Sequence, residues 1–113
     1  MIKIKDFSVF ESLLVCRYHL KLIDVMKWIC TEYPNTTITC GFRRGDAGTH
    51  GVTPCRALDL RSSDYPNPSE VEARINENWA YDPQRQDMKV ALLHNAGSGM
   101  HFHIQVHDRT TKK

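Results

Sequence analysis

The sequence predicts an α+β domain, a small and mostly antiparallel sheet with two flanking helices. Three patterns carry this reading. Apolar residues recur at helical spacing from Leu13 through Cys16, Leu20, Ile23, Met26 and Cys30 to Tyr33. Two short stretches, Cys55-Arg56-Ala57-Leu58-Asp59-Leu60 and His101-Phe102-His103-Ile104-Gln105-Val106, alternate as half-buried strands do. Asn67-Pro68-Ser69-Glu70 opens a second helix, with proline at its first position. At 113 residues the chain has room for one hydrophobic core, so residues 1–113 are expected to form a single domain.

Taken in order, Ser8-Val9-Phe10-Glu11 has the form of a capping box, and a helix is expected to run from there along the apolar stripe until Pro34-Asn35 ends it. His19 lies off the stripe and is expected in solvent. Thr36 to Phe42 is rich in β-branched residues and reads as a strand that delivers Arg43 and Arg44 to its end. Gly45, Asp46, Gly48 and Pro54 make residues 44–54 a loop, and His50 sits on it. Val71, Ile75 and Trp79 share one face of the second helix, which Tyr81-Asp82-Pro83 terminates. Lys89 to His94 is a short apolar strand, and residues 95–99 form the turn of a hairpin into the His101 strand. Residues 108–113 are polar and expected to fray.

Composition excludes several classes. A hydrophobic fraction of 41% with 25% charged residues is that of a globular chain rather than a disordered one. The formal charge is only +2 and the basic residues are scattered, so no nucleic-acid footprint is expected. No run of apolar residues is long enough for membrane insertion. The four cysteines show no Cys-x-x-Cys pairing, which argues against a thiolate zinc ribbon. The opening residues lack an apolar signal core, so cytoplasmic synthesis with reduced thiols is expected, any route to a cell wall passing through lysis or a particle.

The chemistry gathers in two places. Alternation places Leu58 and Leu60 in the core and Ala57, Asp59 and Arg61 on the other face. It likewise buries Phe102, Ile104 and Val106 and leaves His101, His103, Gln105 and His107 together. His50, Asp59 and His103 then form a candidate mononuclear Zn2+ site. Two histidines and one carboxylate are a common catalytic set with a fourth position left for water. His101 stands about 6.6 Å along the strand from His103, near enough to serve the same site. His94 and Asp87 are further groups that could approach, and Cys55 is a soft donor that could compete.

The order Gly41-Phe42-Arg43, Thr49-His50-Gly51, Ala57-Leu58-Asp59-Leu60 and His101-Phe102-His103-Ile104 resembles that of the D-alanyl-D-alanine carboxypeptidase and hedgehog-like zinc peptidase superfamily. Asp6-Phe7-Ser8-Val9-Phe10-Glu11 is similar to the start of its short phage-type members. The resemblance implies the hedgehog/DD-peptidase fold, His50 and Asp59 as the first two ligands, and His103 as the third. It implies that Arg43, at the place of the family's Gly-Tyr-Arg arginine, neutralises a substrate carboxylate or a developing oxyanion. His101 matches the groove histidine of the hedgehog-like members, which does not ligate. The spacing from His50 to Asp59 is longer than the family's, so Gly51-Val52-Thr53-Pro54 is expected to make a longer loop. Gly48 stands at the family's serine, and Met100 stands where many members carry a carboxylate base.

The resemblance implies a zinc-dependent peptidase acting on peptidoglycan stem peptides, as a carboxypeptidase or an endopeptidase. Water on zinc would be the nucleophile, and His101 would move the proton. Two alternatives fit the same residues: a zinc-binding module without catalysis, and a phage structural component with the same fold.

Overall fold

A computed structural model describes residues 2–95 and 99–113. Its elements are β1 (Ile2–Ile4), α1 (Phe7–Leu14), α2 (Leu20–Glu32), β2 (Thr36–Cys40), β3 (Ala57–Arg61), α3 (Pro68–Asn78), β4 (Trp79–Ala80), β5 (Ala91–Asn95), β6 (Met100–Gln105) and β7 (Thr111–Lys112). A short 3₁₀ turn at Ser62–Asp64 follows β3. Five strands form the main sheet in the order β1-β2-β3-β6-β5. Only the β1–β2 pair is parallel. The α+β class with a mostly antiparallel sheet is as the sequence predicts, but three helices flank the sheet rather than two.

The first helix divides because its cap and its stripe differ from those expected. Asp6, not Ser8, caps α1, its carboxylate accepting from Val9 N at 3.0 Å. The helix stops at Leu14, and Tyr18 bridges to Cys55. His19 then caps α2 by accepting from Lys21 N, and its other ring nitrogen lies 2.8 Å from Asp108. A histidine expected in solvent is thus a helix start. The new register turns Leu22, Val25, Met26 and Ile29 to the core and leaves Leu20 and Ile23 exposed.

The later elements follow their patterns. Asn67 caps α3, Pro68 is its first residue, and Val71, Ile75 and Trp79 are buried. Phe102, Ile104, Leu58, Leu60 and Ile38 come from neighbouring strands and join α2 and α3 in one core. The predicted strand at residues 89–94 begins at Ala91; of the predicted turn at residues 95–99, Asn95 belongs to β5 and residues 96–98 lie outside the described residues. The C-terminal stretch is not frayed: Thr110 is fully buried, its hydroxyl donating to Tyr81 O, and β7 pairs with β4.

The sheet therefore has a packed face and an open one, and the alternation of β3 and β6 decides which residues each receives. Phe102 sits at the centre of the packed face, opposite Leu60 and Leu93 in register and edge-on to Tyr65 with ring centroids 5.6 Å apart. Phe102→Ala is expected to destabilise the domain by ~3–5 kcal/mol through lost burial and a residual cavity. Urea unfolding should show a lower midpoint at unchanged slope, and an unaltered midpoint would show that this packing is not what holds the sheet.

Candidate metal centre

The open face carries a line of three neighbours across three strands. Cys40 on β2 is opposite Asp59 on β3, which is opposite His103 on β6. Two residues further along, Arg61 pairs with His101, and His101 pairs with His94 of β5. Paired positions in an antiparallel sheet hold their Cβ atoms about 4.5–5.5 Å apart, close enough for short side chains to meet. All of these except Arg61 line one cleft, with Arg43, Asp46, Thr49 and Gln105 among its other walls.

His50 comes to this line from the loop between β2 and β3. Two glycines let it do so. A Cβ on Gly41 would stand 2.6 Å from both Ser12 Oγ and Tyr18 Oη, and one on Gly51 would stand 1.8 Å from Asp46 O. Bare backbone at both points lets the loop fold tightly over the end of β2. Arg43 N donates to His50 O at 2.8 Å, and Arg56 N donates to Thr49 O at 3.3 Å. The loop is long, yet it closes on the strand.

Asp59 is the centre of what results. Its Oδ1 lies 3.0 Å from His50 Nε2 and 3.2 Å from His103 Nδ1, and its Oδ2 lies 3.8 Å from His101 Nε2. The far nitrogen of each of the first two rings also faces an oxygen. His50 Nδ1 donates to Gly41 O at 2.8 Å. His103 Nε2 lies 3.2 Å from Gln105 Oε1, and Gln105 turns that oxygen inward because its amide nitrogen donates to Lys89 O at 2.9 Å. Such outer partners orient metal-binding imidazoles and fix which nitrogen is free to ligate.

Charge in the cluster follows from these contacts. Burial works against a charged imidazole at His50, but the hydrogen bonds with Asp59 and Cys40, the Asp59 charge and the Gly41 carbonyl outweigh it and push its pKa up to about 10. Burial likewise works against an ionised Asp59, yet hydrogen bonds with His103 and His50 hold its carboxyl well below the usual carboxylate range. His94 is shifted down by burial and by the neighbouring His101 and His103.

The predicted ligands thus fall as follows. His50 and Asp59 form, with Cys40, a group whose donor atoms all lie within 4.8 Å of one another, and this group could hold a metal ion. His103 reaches the same carboxylate oxygen from the other side. Donors bonded at about 2.0–2.3 Å to a tetrahedral ion stand ~3.3–3.7 Å from each other, so a group whose donors spread over as much as 4.8 Å would tighten on taking an ion, and His103, which touches only its carboxylate, is not one of that group. His101 faces Asp59 from within the cleft and stacks near His94, ring centroids 4.5 Å apart. Arg43 lies at the mouth, about half exposed and paired with Asp46 at 3.3 Å. Cys55 is buried with its sulfur against the carbonyls of Thr49, His50 and Ala57, and exposed Asp87 does not line the cleft.

Cys40 is the residue that sequence reasoning missed, and the cause is local. Strict alternation from buried Ile38 sends Cys40 into the core. Instead Ile38 pairs with Leu60 while Cys40 pairs with Asp59, so two steps on β2 match one on β3. That bulge turns the thiol to the open face. The glycine just after it, Gly41, was the available signal, since glycine beside a strand end marks such irregularities.

The metal-free cluster makes stability depend on pH in two opposite ways. A raised His50 pKa contributes stability in full below the ordinary imidazole value of 6.5 and loses it as pH climbs toward about 10. A lowered Asp59 pKa contributes in full above the ordinary 3.8 and loses it as pH falls further. The difference in unfolding free energy between the chelator-treated wild type and Asp59→Asn should therefore be greatest between about pH 4 and 6.5 and shrink on both sides. A difference that grows into alkaline pH would contradict these contacts.

No protein-family model matches the chain, and neither a curated protein nor a solved structure is similar to it. A functional reading rests on the cluster itself and on the motifs that compose it.

Proposed function

We propose that the chain is a zinc-dependent peptidase of the D-alanyl-D-alanine carboxypeptidase and hedgehog-like type, acting on peptidoglycan stem peptides. The observation that carries the reading is the paired orientation of His50 and His103. Each gives one ring nitrogen to a fixed oxygen and turns the other toward Asp59 Oδ1. Two imidazoles and a carboxylate arranged in this way suit a divalent ion of zinc's size and preferences.

His50, Asp59 and His103 are the residues that would hold the ion. Zinc bound there supplies a Lewis acid and a water acidified toward neutral pH. The other groups have separate tasks. His101, with Nε2 3.8 Å from Asp59 Oδ2, faces the cleft and can carry a proton from the attacking water to the leaving amine. His94 beside it provides a second imidazole within ring contact. Arg43 at the mouth offers a guanidinium for the substrate's terminal carboxylate once it releases Asp46. The open rim between the Arg43 loop and Leu92 of β5 gives a peptide room to lie along the sheet.

A second reading, a zinc-binding module without turnover, draws on the lining of the cleft. Met100 is half exposed at the start of β6. Among the described residues, the carboxylates that line the cleft are Asp46, already paired with Arg43, and Asp59 at the centre. A histidine must then do the work of the missing carboxylate base.

Zinc content and muropeptide release separate the two readings. His50→Ala should lose zinc and peptide release together. His101→Gln should keep zinc and lose turnover by ~10²–10⁴-fold, the usual worth of a positioned acid–base group. Zinc-loaded wild type that releases no muropeptide supports the module, and release by zinc-free His50→Ala refutes the peptidase.

A further inference from the structure

We infer that Cys40 is a fourth protein ligand, and that its thiolate closes the coordination shell of the metal when no substrate is present. The inference rests on the metal reading above and adds to it a donor that this reading does not require. Three observations carry it. The β2 bulge turns Cys40 away from the core and sets it opposite Asp59. Its sulfur lies within 4.8 Å of the donor atoms of both His50 and Asp59. Its side chain also lines the cleft, so the thiol faces the place where a ligand would arrive.

The chemistry of the donor set points the same way. Thiolate is a preferred zinc donor at about 2.3 Å, and four protein ligands define a closed site, whereas three leave room for water. A sulfur brought this near two other donors competes for the fourth position with an advantage no free water has, because its position is already fixed by the strand. Binding releases the thiol proton to solvent. With an ion bound, the resting site would draw on Cys40 of β2, His50 of the loop and Asp59 of β3, with His103 of β6 joining from its place against the same carboxylate. Hydrolysis would require Cys40 to give up its place and take back a proton from solvent, leaving that position to water. The cysteine thus acts as a latch on the cleft. Cys55 does not share this role, since it neither lines the cleft nor belongs to the group of donors around Asp59.

Cobalt(II) reports the ligand directly. Titrating the full chain with cobalt should give one bound ion, its visible d–d bands accompanied by the near-ultraviolet thiolate-to-cobalt absorption. In Cys40→Ser and Cys40→Ala the ultraviolet absorption should vanish while the visible bands persist. In Cys55→Ser both should remain. Zinc affinity of the Cys40 variants should fall by at least about tenfold, since losing a ligand costs no less than losing one of its outer partners. Muropeptide release by zinc-loaded Cys40→Ala should exceed that of the wild type. Bound cobalt without the thiolate absorption in the wild type overturns the inference and leaves the metal site standing. Lost absorption with unchanged or lower release by the variant overturns the latch. A wild type that binds neither cobalt nor zinc overturns the metal reading itself, and this inference with it.

Discussion

A carboxylate as enclosed as that of Asp59 must find partners for its charge or give the charge up. The sheet provides those partners by geometry rather than by chance contact. Two imidazole nitrogens share Oδ1 and a third faces Oδ2, so the negative charge is answered from three directions. Removing one partner of a buried ionic group leaves the rest uncompensated, and the loss exceeds the net worth of the pair. The fold around β3 is therefore tied to the cluster: the strand that carries Leu58 and Leu60 into the core also carries Asp59 to the opposite face.

The same arrangement would make a proton and a metal ion rivals for one place. His50 meets Gly41 O with one nitrogen and Asp59 with the other, and an imidazole that donates at both ends is charged. An ion seated at Asp59 would take over the role of that proton. The outer oxygens, the Gly41 carbonyl at His50 and the Gln105 amide with the Thr49 hydroxyl at His103, serve either state because they meet the nitrogens turned away from Asp59. Rigid support of this kind keeps a site ready without a large rearrangement on loading.

Position in the sheet explains the division of labour. β3 and β6 lie at its centre, flanked by β2 and β5, so the densest chemistry sits where the scaffold is stiffest. His50 and Arg43 are the exceptions, being carried on the loop that follows β2. That loop is held by hydrogen bonds from Arg43 N and Arg56 N and by the close approaches at Gly41 and Gly51. The loop thus brings buried His50 to the Asp59 carboxylate and exposed Arg43 to the cleft. Among the described residues no helix is long and apolar enough to cross a membrane, and the apolar faces of α2 and α3 are spent on the core.

What the sequence by itself determined is everything that depends on a short period or a local signal. The alternation of β3 and β6 sorted Asp59, His101 and His103 from Leu58, Leu60, Phe102 and Ile104, and Asn67-Pro68 marked the start of α3. These survive because a period of two leaves only two faces to choose from. The division of the first helix did not survive, since an apolar stripe looks alike whether one helix or two carry it, and the Asp6 cap and the break before His19 reset its phase. Pairing of β7 with β4 is a contact between distant segments with no local pattern to announce it. Cys40 belongs with these: the register between β2 and β3 turns it to the open face, and Gly41 marks an irregular strand end without saying which partner residue the bulge skips.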